Sequence, residues 1–245
     1  MKGPEKHSEL GINQLKQDLH HSFTIKDLGL ARYFLGIEIF RSPIGTFLNQ
    51  RKYVLDILSA AGLTGPKPTK FPLPKGLKLS IDTGTALSNP EPYRRVIGRL
   101  LYLTLTRPDI SYAVQHLSQF LQHTTDSHYA TAMHVLWYLK GTPNKGLFYP
   151  ATNNLQIVAY TDAAWGTCKM SSKSLTGYYV FLGNSLVFWK TKKQKTVAKS
   201  SVEAEYRAMS ATTSELDWIA HLLQDLHLPL QLPVLASPAS SVITL

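Results

Sequence analysis

Two acidic residues stand in short segments of the second half of the chain that could bring them close together. Asp162 lies in YTDAAWG, residues 160–166, at the end of a strand pattern. Glu205 lies in SSVEAEYRA, residues 200–208, at the start of a long helical pattern. Carboxylate oxygens are ligands that Mg²⁺ and Mn²⁺ prefer, with water completing the coordination. A strand end facing a helix start would therefore form part of a divalent-metal site.

The helix contains a second glutamate, and a helical wheel separates the two. At about 100° per residue, Glu205 falls on the same side as residues 209, 212, 216, 219 and 223, so we expect it to begin the inward face. A carboxylate there is costly unless it borders a cleft or meets a cation. Glu203 points about 160° away and follows Ser200 by three residues, the spacing of a capping box. Glu203 is therefore the second choice, and a solvated Glu205 at a frayed helix start is the alternative.

The strand that contains Asp162 has two faces. Alternation puts Val158, Tyr160 and Asp162 on one face and the odd-numbered residues on the other. We expect Asp162 to end a run of buried side chains on its face. Two carboxylates are nevertheless few, because a two-metal phosphodiester hydrolase holds its ions about 4 Å apart and uses more acidic groups than two.

The hydrophobic periods of the chain predict which elements position these residues. A helix is expected over 13–21, a hairpin from YFLGIEIF and TFLNQ, and further helices over 51–61, 93–105, 110–122 and 127–140. Three strands follow, IVAYTDA, TGYYVFLG and SLVFWKTK, with a tight turn at Gly183-Asn184 between the last two, and a helix from 200 to about 226 closes the order. The stretch 64–92 contains many prolines and glycines, which exclude a continuous helix or central strand, and it is predicted to be a linker.

The charge of the chain favours an anionic partner. Lysine and arginine number 26 against 16 acidic residues, a net charge of +10. Five lysines cluster around the last predicted strand and could follow the phosphates of a nucleic acid: Lys190, Lys192, Lys193, Lys195 and Lys199. An edge strand protected from aggregation by lysines is an equally good interpretation. The sequence gives no specific compartment: it shows no signal peptide or transmembrane pattern, so the product is expected to be intracellular if the chain is expressed.

Seven segments carry a family resemblance. They are DLGLARYFLGIEI, QRKYVLDILSAAGL, YRRVIGRLLYLTLTRPDISYAVQHLSQF, HVLWYLKGTPNKGL, YTDAAWG, SLTGYYVFLG and SSVEAEYRAM. In this order, over about residues 13–228, the chain resembles the Pol polyprotein of copia-type retrotransposons, from the end of the reverse transcriptase region into the RNase H domain. The resemblance implies an α/β (α+β) fold, with a palm-end hairpin and thumb start over 13–63, the linker 64–92, a helical thumb or connection region over 93–147, and a truncated RNase H-like domain of three strands and a helix over 155–245.

The same resemblance implies a site, and the chain departs from it. Asp162 and Glu205 match catalytic, metal-binding carboxylates, with Mg²⁺ or Mn²⁺ as cofactor and an RNA–DNA hybrid as partner. The family usually has an acidic residue where this chain has Ala164, and its Asp-Asn pair falls on Pro238 and Ala239. The polymerase needs two adjacent aspartates, which this sequence does not contain. Three hypotheses follow: an inactive remnant with weak electrostatic affinity for nucleic acid, an active hybrid ribonuclease, or a non-enzymatic nucleic-acid-binding or interaction protein.

Overall fold

The computed structural model describes the backbone at residues 5–63, 67–77, 79–168, 171–228, 234–237 and 240–244, and side chains between residues 11 and 228 of these ranges. The helices are α1 (Glu5–Phe23), α2 (Arg51–Ala60), α3 (Glu91–Leu103), α4 (Ser111–Ser118), α5 (Asp126–Gly141) and α6 (Ser201–Asp225). The strands are β1 (Tyr33–Phe34), β2 (Ile37–Ser42), β3 (Gly45–Asn49), β4 (Gly146–Pro150), β5 (Ile157–Ala164), β6 (Leu175–Leu182), β7 (Ser185–Lys193), β8 (Val234–Ser237) and β9 (Ser240–Thr244). The predicted mixed α+β class is confirmed.

The N-terminal sheet has the order β1-β2-β3-β4, and all its pairs are antiparallel. The predicted hairpin is confirmed, with Ser42 opposite Gly45 across its turn. Strand β4 was not predicted. It pairs with β3 from Gly45 opposite Pro150 to Asn49 opposite Gly146, and a side chain at Gly146 would collide with the carbonyl of Leu48. This pairing joins residues about a hundred positions apart, so no local sequence pattern predicts it.

The helical core is the apolar cluster formed by α2, α3, α4 and α5. Apolar residues recur along α3 at Tyr93, Ile97 and Leu100, a helical spacing, and all three are fully buried. Helix α4 ends at Ser118, earlier than the predicted end at residue 122. Helix α1 begins at Glu5 rather than at Asn13.

Arg107 and Asp109 tie the helical core together from within. Arg107 is 1% exposed and donates from Nε and one terminal nitrogen to the Asp109 carboxylate at 2.9 and 2.7 Å. It also donates to the carbonyl oxygen and the hydroxyl of Thr142, which follows α5. Burial acts to raise the pKa of Asp109, but the bonds from Arg107 and the Tyr138 hydroxyl hold that pKa below its usual value. The segment before α4 is thereby fastened to the end of α5.

The proline-rich stretch lies against α5. Asp126 donates its amide to the carbonyl of Thr85, and Ala86 forms a bridge with Thr125. The fully buried His128 contacts the Ser80 carbonyl through Nε2 at 3.0 Å and stacks on Phe120 at 4.0 Å between ring centroids. The prolines exclude regular structure here, and hydrogen bonds to α5 replace it.

The C-terminal sheet has the order β7-β6-β5-β8-β9, with β5 and β8 parallel and the other pairs antiparallel. Gly183 begins the predicted tight turn between β6 and β7 with φ of +56°. Helix α6 covers one face of β5 and β6. Its buried stripe is Ala204, Ala208, Thr212, Leu216, Ile219 and Leu223.

The C-terminal sheet contacts the rest of the molecule through β7. The indole nitrogen of Trp189 donates to the Thr104 carbonyl at 3.1 Å. A cavity of about 370 Å³ lies beside this bond, between Leu48 and Leu147 on one side and Phe188 on the other. In the part of the chain that the structure describes, no helix has the length and apolar character needed to cross a membrane.

Candidate functional site

Asp162 lies near the end of β5, opposite Gly177 of β6, and its side chain is exposed. The prediction that it ends a run of buried side chains is wrong. The buried face of β5 carries Ile157, Ala159 and Thr161, because that is the face that α6 covers. On the Asp162 face, Tyr160 is 52% exposed.

Glu205 is half-buried on the first turns of α6, beside the buried stripe of the helix. Its Oε1 accepts a hydrogen bond from the amide of Ala163 at 3.3 Å. Among the described residues, β8 pairs with β5 from Val158 to Tyr160, which lies before Ala163 along the strand. The helix start therefore reaches the end of β5, and Glu205 lies against the residue that follows Asp162.

The electrostatic setting of Glu205 is unfavourable for a bare carboxylate. Burial raises its pKa most, the Ala163 amide acts to lower it, and the nearby Asp162 carboxylate raises it further. Its Oε2 atom is buried and has no hydrogen-bond partner among the described residues. A buried acceptor without a partner keeps its full desolvation cost, which a proton or a cation would relieve. Asp162 and Glu205, the carboxylate pair, therefore suit a positively charged ligand.

Glu203 is occupied at the helix start. Its amide donates to Ser200 Oγ at 3.1 Å, as the capping spacing predicts. Its carboxylate accepts from the amide of Lys199 at 2.6 Å, instead of the Ser200 amide that a strict capping box uses, and it also pairs with Arg207 at 2.5 Å. With these partners, Glu203 has a structural task that Glu205 lacks.

The carboxylate pair provides few protein ligands for a metal centre. Within the described ranges, no group of three or more His, Cys, Asp or Glu side chains could hold a metal ion. Pro238 and Ala239, the positions that match the Asp-Asn pair, lie outside the described residues. The pair and its orphaned oxygen fit one hard cation with water as its other ligands, and two carboxylates are too few to hold two ions about 4 Å apart.

The five predicted lysines have different surroundings. Lys190 pairs with Glu215 of α6 at 2.9 Å, and the Tyr178 hydroxyl donates to the same oxygen. Burial acts to raise the pKa of Glu215, but these bonds hold it below its usual value. Lys193 turns to the other face of β7, where its Nζ lies 3.7 Å from Cys168 Sγ. The remaining three are exposed: Lys192, Lys195 and Lys199.

Sequence reasoning missed Glu215 as the partner of Lys190. The two residues are 25 positions apart and meet only because α6 folds back over the sheet. The helical wheel is the signal that could have drawn attention to Glu215, since this residue lies beside the buried Leu216 and so near the edge of the inward face of α6. That pattern does not show that β7 supplies the partner of Glu215.

A cleft of about 290 Å³ opens between β7 and α6. We call it the basic cleft, because cationic side chains predominate in its lining and Glu215 is the carboxylate among them. It is lined by Thr176, Tyr178, Lys190, Lys192, Lys193, Gln194, Lys195, Thr196, Arg207, Ala211 and Glu215.

Comparison with curated proteins finds relatives along most of the chain. It is 45% identical over 222 residues to the retrovirus-related Pol polyprotein from transposon RE1 of Arabidopsis thaliana, covering 91% of this chain and 15% of that protein. It is 42% identical over 207 residues to an uncharacterised mitochondrial protein of Arabidopsis thaliana, covering 84% of this chain and 86% of that protein. A putative transposon Ty5-1 protein of Saccharomyces cerevisiae is 35% identical over 207 residues, 83% of this chain and 67% of that protein.

The other two comparisons find no counterpart. No family model matches the chain, and no solved structure matches it significantly. The chain spans about 15% of the length of the transposon polyproteins RE1 and RE2.

Proposed function

Because the chain belongs to the family of copia-type retrotransposon Pol polyproteins, we propose that it comprises the end of the reverse transcriptase region followed by an RNase H-like domain without catalytic activity. Two features support the RNase H-like assignment. From residue 157 the elements follow the order strand, strand, strand, helix, strand, and β8 lies parallel to β5. The acidic residues of β5 and α6 meet at the end of β5.

The proposed inactivity rests on the number of acidic ligands at the site, because the carboxylate pair provides two. Asp162 and Glu205 would hold a divalent ion, which when bound supplies Lewis-acid activation of water and stabilises a leaving oxygen. The described residues provide no third acidic group beside them. The pair therefore binds one cation loosely and does not complete the two-ion arrangement that hydrolysis of a phosphodiester uses.

An RNA–DNA hybrid cleavage assay tests this proposal. We expect no Mg²⁺- or Mn²⁺-dependent cleavage above that of a mock preparation. Cleavage that Asp162→Asn abolishes would show a complete site and establish the alternative of an active ribonuclease. Cleavage that survives Asp162→Asn would point to a contaminating nuclease and calls for a further purified preparation.

The sequence departure at residue 238 offers a complementary test. Pro238→Asp restores a carboxylate at the position that matches the lost ligand. We expect it to strengthen Mn²⁺ binding, observed as paramagnetic broadening near Asp162, more than it restores turnover. Pro238→Asn is the matched control without a charge.

The residual function that we propose is weak, sequence-independent binding of nucleic acid. It is supported by the net charge of +10 and by three exposed lysines, Lys192, Lys195 and Lys199. Contacts to about three phosphates give a slope near −3 when log K is plotted against log salt. A fluorescence anisotropy titration measures this slope, and a flat salt response would remove nucleic acid as a partner.

A further inference from the structure

Five cationic side chains line the basic cleft; Lys193 turns toward Cys168, and the other four are of two kinds. Lys190 faces α6, where Glu215 neutralises it, and Tyr178 completes the group. Arg207 is held by the Thr196 side chain and carbonyl, with Glu203 as its counterion. In these two cases the charge already has a partner of the opposite sign.

Lys192 and Lys195 are different. Neither makes a hydrogen bond or a close ion pair in the described part of the chain, although the Glu215 carboxylate also attracts Lys192 at longer range, and both lysines are exposed at the mouth of the basic cleft. Alternation along β7 puts Lys192 on the same face as Lys190, so it faces α6 instead of extending from the free edge of the sheet. Protection of an edge strand does not explain a lysine that points across the sheet face.

Hydrogen bonds hold the backbone of the loop after β7 on both sides of Lys195. Arg207 donates to the carbonyl oxygens of Thr196 and Val197 at 3.1 and 3.3 Å. On the other side, the amide of Gln194 donates to the Ser174 carbonyl at 2.9 Å, and its side chain donates to Thr176 and to the Ala204 carbonyl. The backbone around Lys195 is therefore held from both sides, which lowers the entropy lost when its ammonium group binds a ligand.

We propose that the basic cleft binds a phosphate group, with Lys192 and Lys195 as its ligands and Glu215 as an internal counterion that withholds Lys190. Ammonium groups bind phosphate oxygens by charge-assisted hydrogen bonds. An anion between Lys192 and Lys195 also relieves the repulsion among the cations that line the cleft. The phosphate can belong to a nucleic-acid backbone, in which case the cleft rests on the proposed function, or it can be free inorganic phosphate.

The experiment titrates inorganic phosphate and a short RNA–DNA hybrid separately into the full chain. Phosphate binding is followed by amide chemical shifts and hybrid binding by anisotropy. The test variant is the double substitution Lys192→Gln with Lys195→Gln. The matched control is Lys199→Gln, because Lys199 is exposed and belongs to the same lysine cluster but does not line the cleft.

The double variant should lose saturable phosphate binding, and its salt slope on the hybrid should become less steep by about 2, roughly a 50-fold loss of affinity near 0.1 M salt. Lys199→Gln should leave the binding of inorganic phosphate unchanged, whereas its salt slope on the hybrid should become less steep by about 1, because Lys199 is one of the three lysines proposed to contact the hybrid. Glu215→Gln removes the negative charge beside the cleft and should tighten phosphate binding by about fivefold. This gain cannot arise from misfolding, so it remains decisive if the double variant is unstable.

The possible results separate the two proposals. If the double variant binds phosphate as the unmodified chain does, or if Glu215→Gln binds no tighter, the cleft proposal is overturned. If the double variant loses phosphate binding but keeps its salt slope on the hybrid, the cleft proposal is supported with free phosphate as the ligand, and the proposed function is preserved through contacts elsewhere. Phosphate binding in the cleft without any hybrid binding would support the cleft, identify free phosphate as its ligand and overturn the proposed affinity for nucleic acid.

Discussion

Charged groups are buried both in the helical core and beside the C-terminal sheet, but they meet different surroundings. In the helical core, Arg107 makes four hydrogen bonds, to Asp109 and Thr142. At the end of β5, Glu205 keeps one buried oxygen without a partner among the described residues. A buried charged group whose hydrogen bonds are all made within the protein holds neighbouring segments together. A buried charged atom without a hydrogen-bond partner can instead accept a ligand. The two regions therefore differ in whether a buried charged group has all its hydrogen-bond partners within the described part of the protein.

The largest expected effect comes from breaking the buried pair. Arg107→Ala leaves the Asp109 carboxylate without its main partner, and we expect a loss of about 3–5 kcal/mol in the free energy of unfolding. Urea denaturation followed by tryptophan fluorescence measures it. The control is Lys16→Ala, which breaks a pair with Asp27 whose side chains are 45% and 51% exposed, so its loss of stability should be much smaller. Equal losses in the two variants would contradict the distinction.

The next effect concerns pH and the buried His128. Burial lowers its pKa below 6.5, and the contact with Ser80 and the nearby Asp126 oppose this only in part. A folded-state pKa below the unfolded value means that its contribution to stability is complete above about pH 6.5 and is lost as the pH falls toward the folded-state pKa. We therefore expect the free energy of unfolding to decrease on acidification.

His128→Phe separates this contribution from the others. The phenyl ring can stack on Phe120 but cannot be protonated, so the variant should lose less stability between pH 7.5 and pH 5.5 than the unmodified chain. His116 remains in both proteins, but its pKa is lowered by burial and also by the charge of His128, so removing His128 should itself reduce the acid sensitivity that His116 contributes. The same acid sensitivity in both proteins would show that His128 does not contribute to it.

The positions of the two glutamates on α6 could largely be predicted from the sequence because they depend on local helix geometry. Helical spacing placed Glu203 at the cap of α6, where the structure has it. It placed Glu205 at the start of the inward face, but the buried stripe begins with Ala204 and Glu205 lies half-buried beside it. The buried face of β5 could not be predicted in the same way. Both faces of that strand carry residues that suit a core, and the choice depends on where α6 packs.

Other features depended on contacts between distant parts of the chain. The pairing of β4 with β3 and of Lys190 with Glu215 exists only once the chain has folded. The proline-rich stretch gave a correct indication that regular structure is absent, but its hydrogen bonds to α5 use backbone groups that leave no signature in side-chain patterns. Composition therefore predicted the conformation of this stretch and not its packing.

A smaller effect is expected at the helix start. Ser200→Ala removes the oxygen that accepts the Glu203 amide, and loss of such a cap costs about 1 kcal/mol. Ser200→Asp keeps an acceptor and adds a negative charge near the helix start, so it should retain stability. Urea midpoints of the two variants check this expectation, and equal midpoints would mean that the cap does not stabilise α6.

The smallest expected effect on stability is that of Glu205→Gln. The amide oxygen can still accept from Ala163, and the substitution removes both a buried charge and its repulsion by Asp162. We therefore expect the free energy of unfolding to change by less than about 0.5 kcal/mol, within the range of surface substitutions, or to increase. Glu203→Gln, by contrast, weakens the pair with Arg207 and the bond from Lys199, so it should destabilise the chain. Urea denaturation of both variants compares them, and Mn²⁺ titration of the same samples should show weaker metal binding for Glu205→Gln alone. If Glu205→Gln destabilised the chain more than Glu203→Gln and left Mn²⁺ binding intact, Glu205 would be the structural residue and the assignment of the carboxylate pair would have to be reversed.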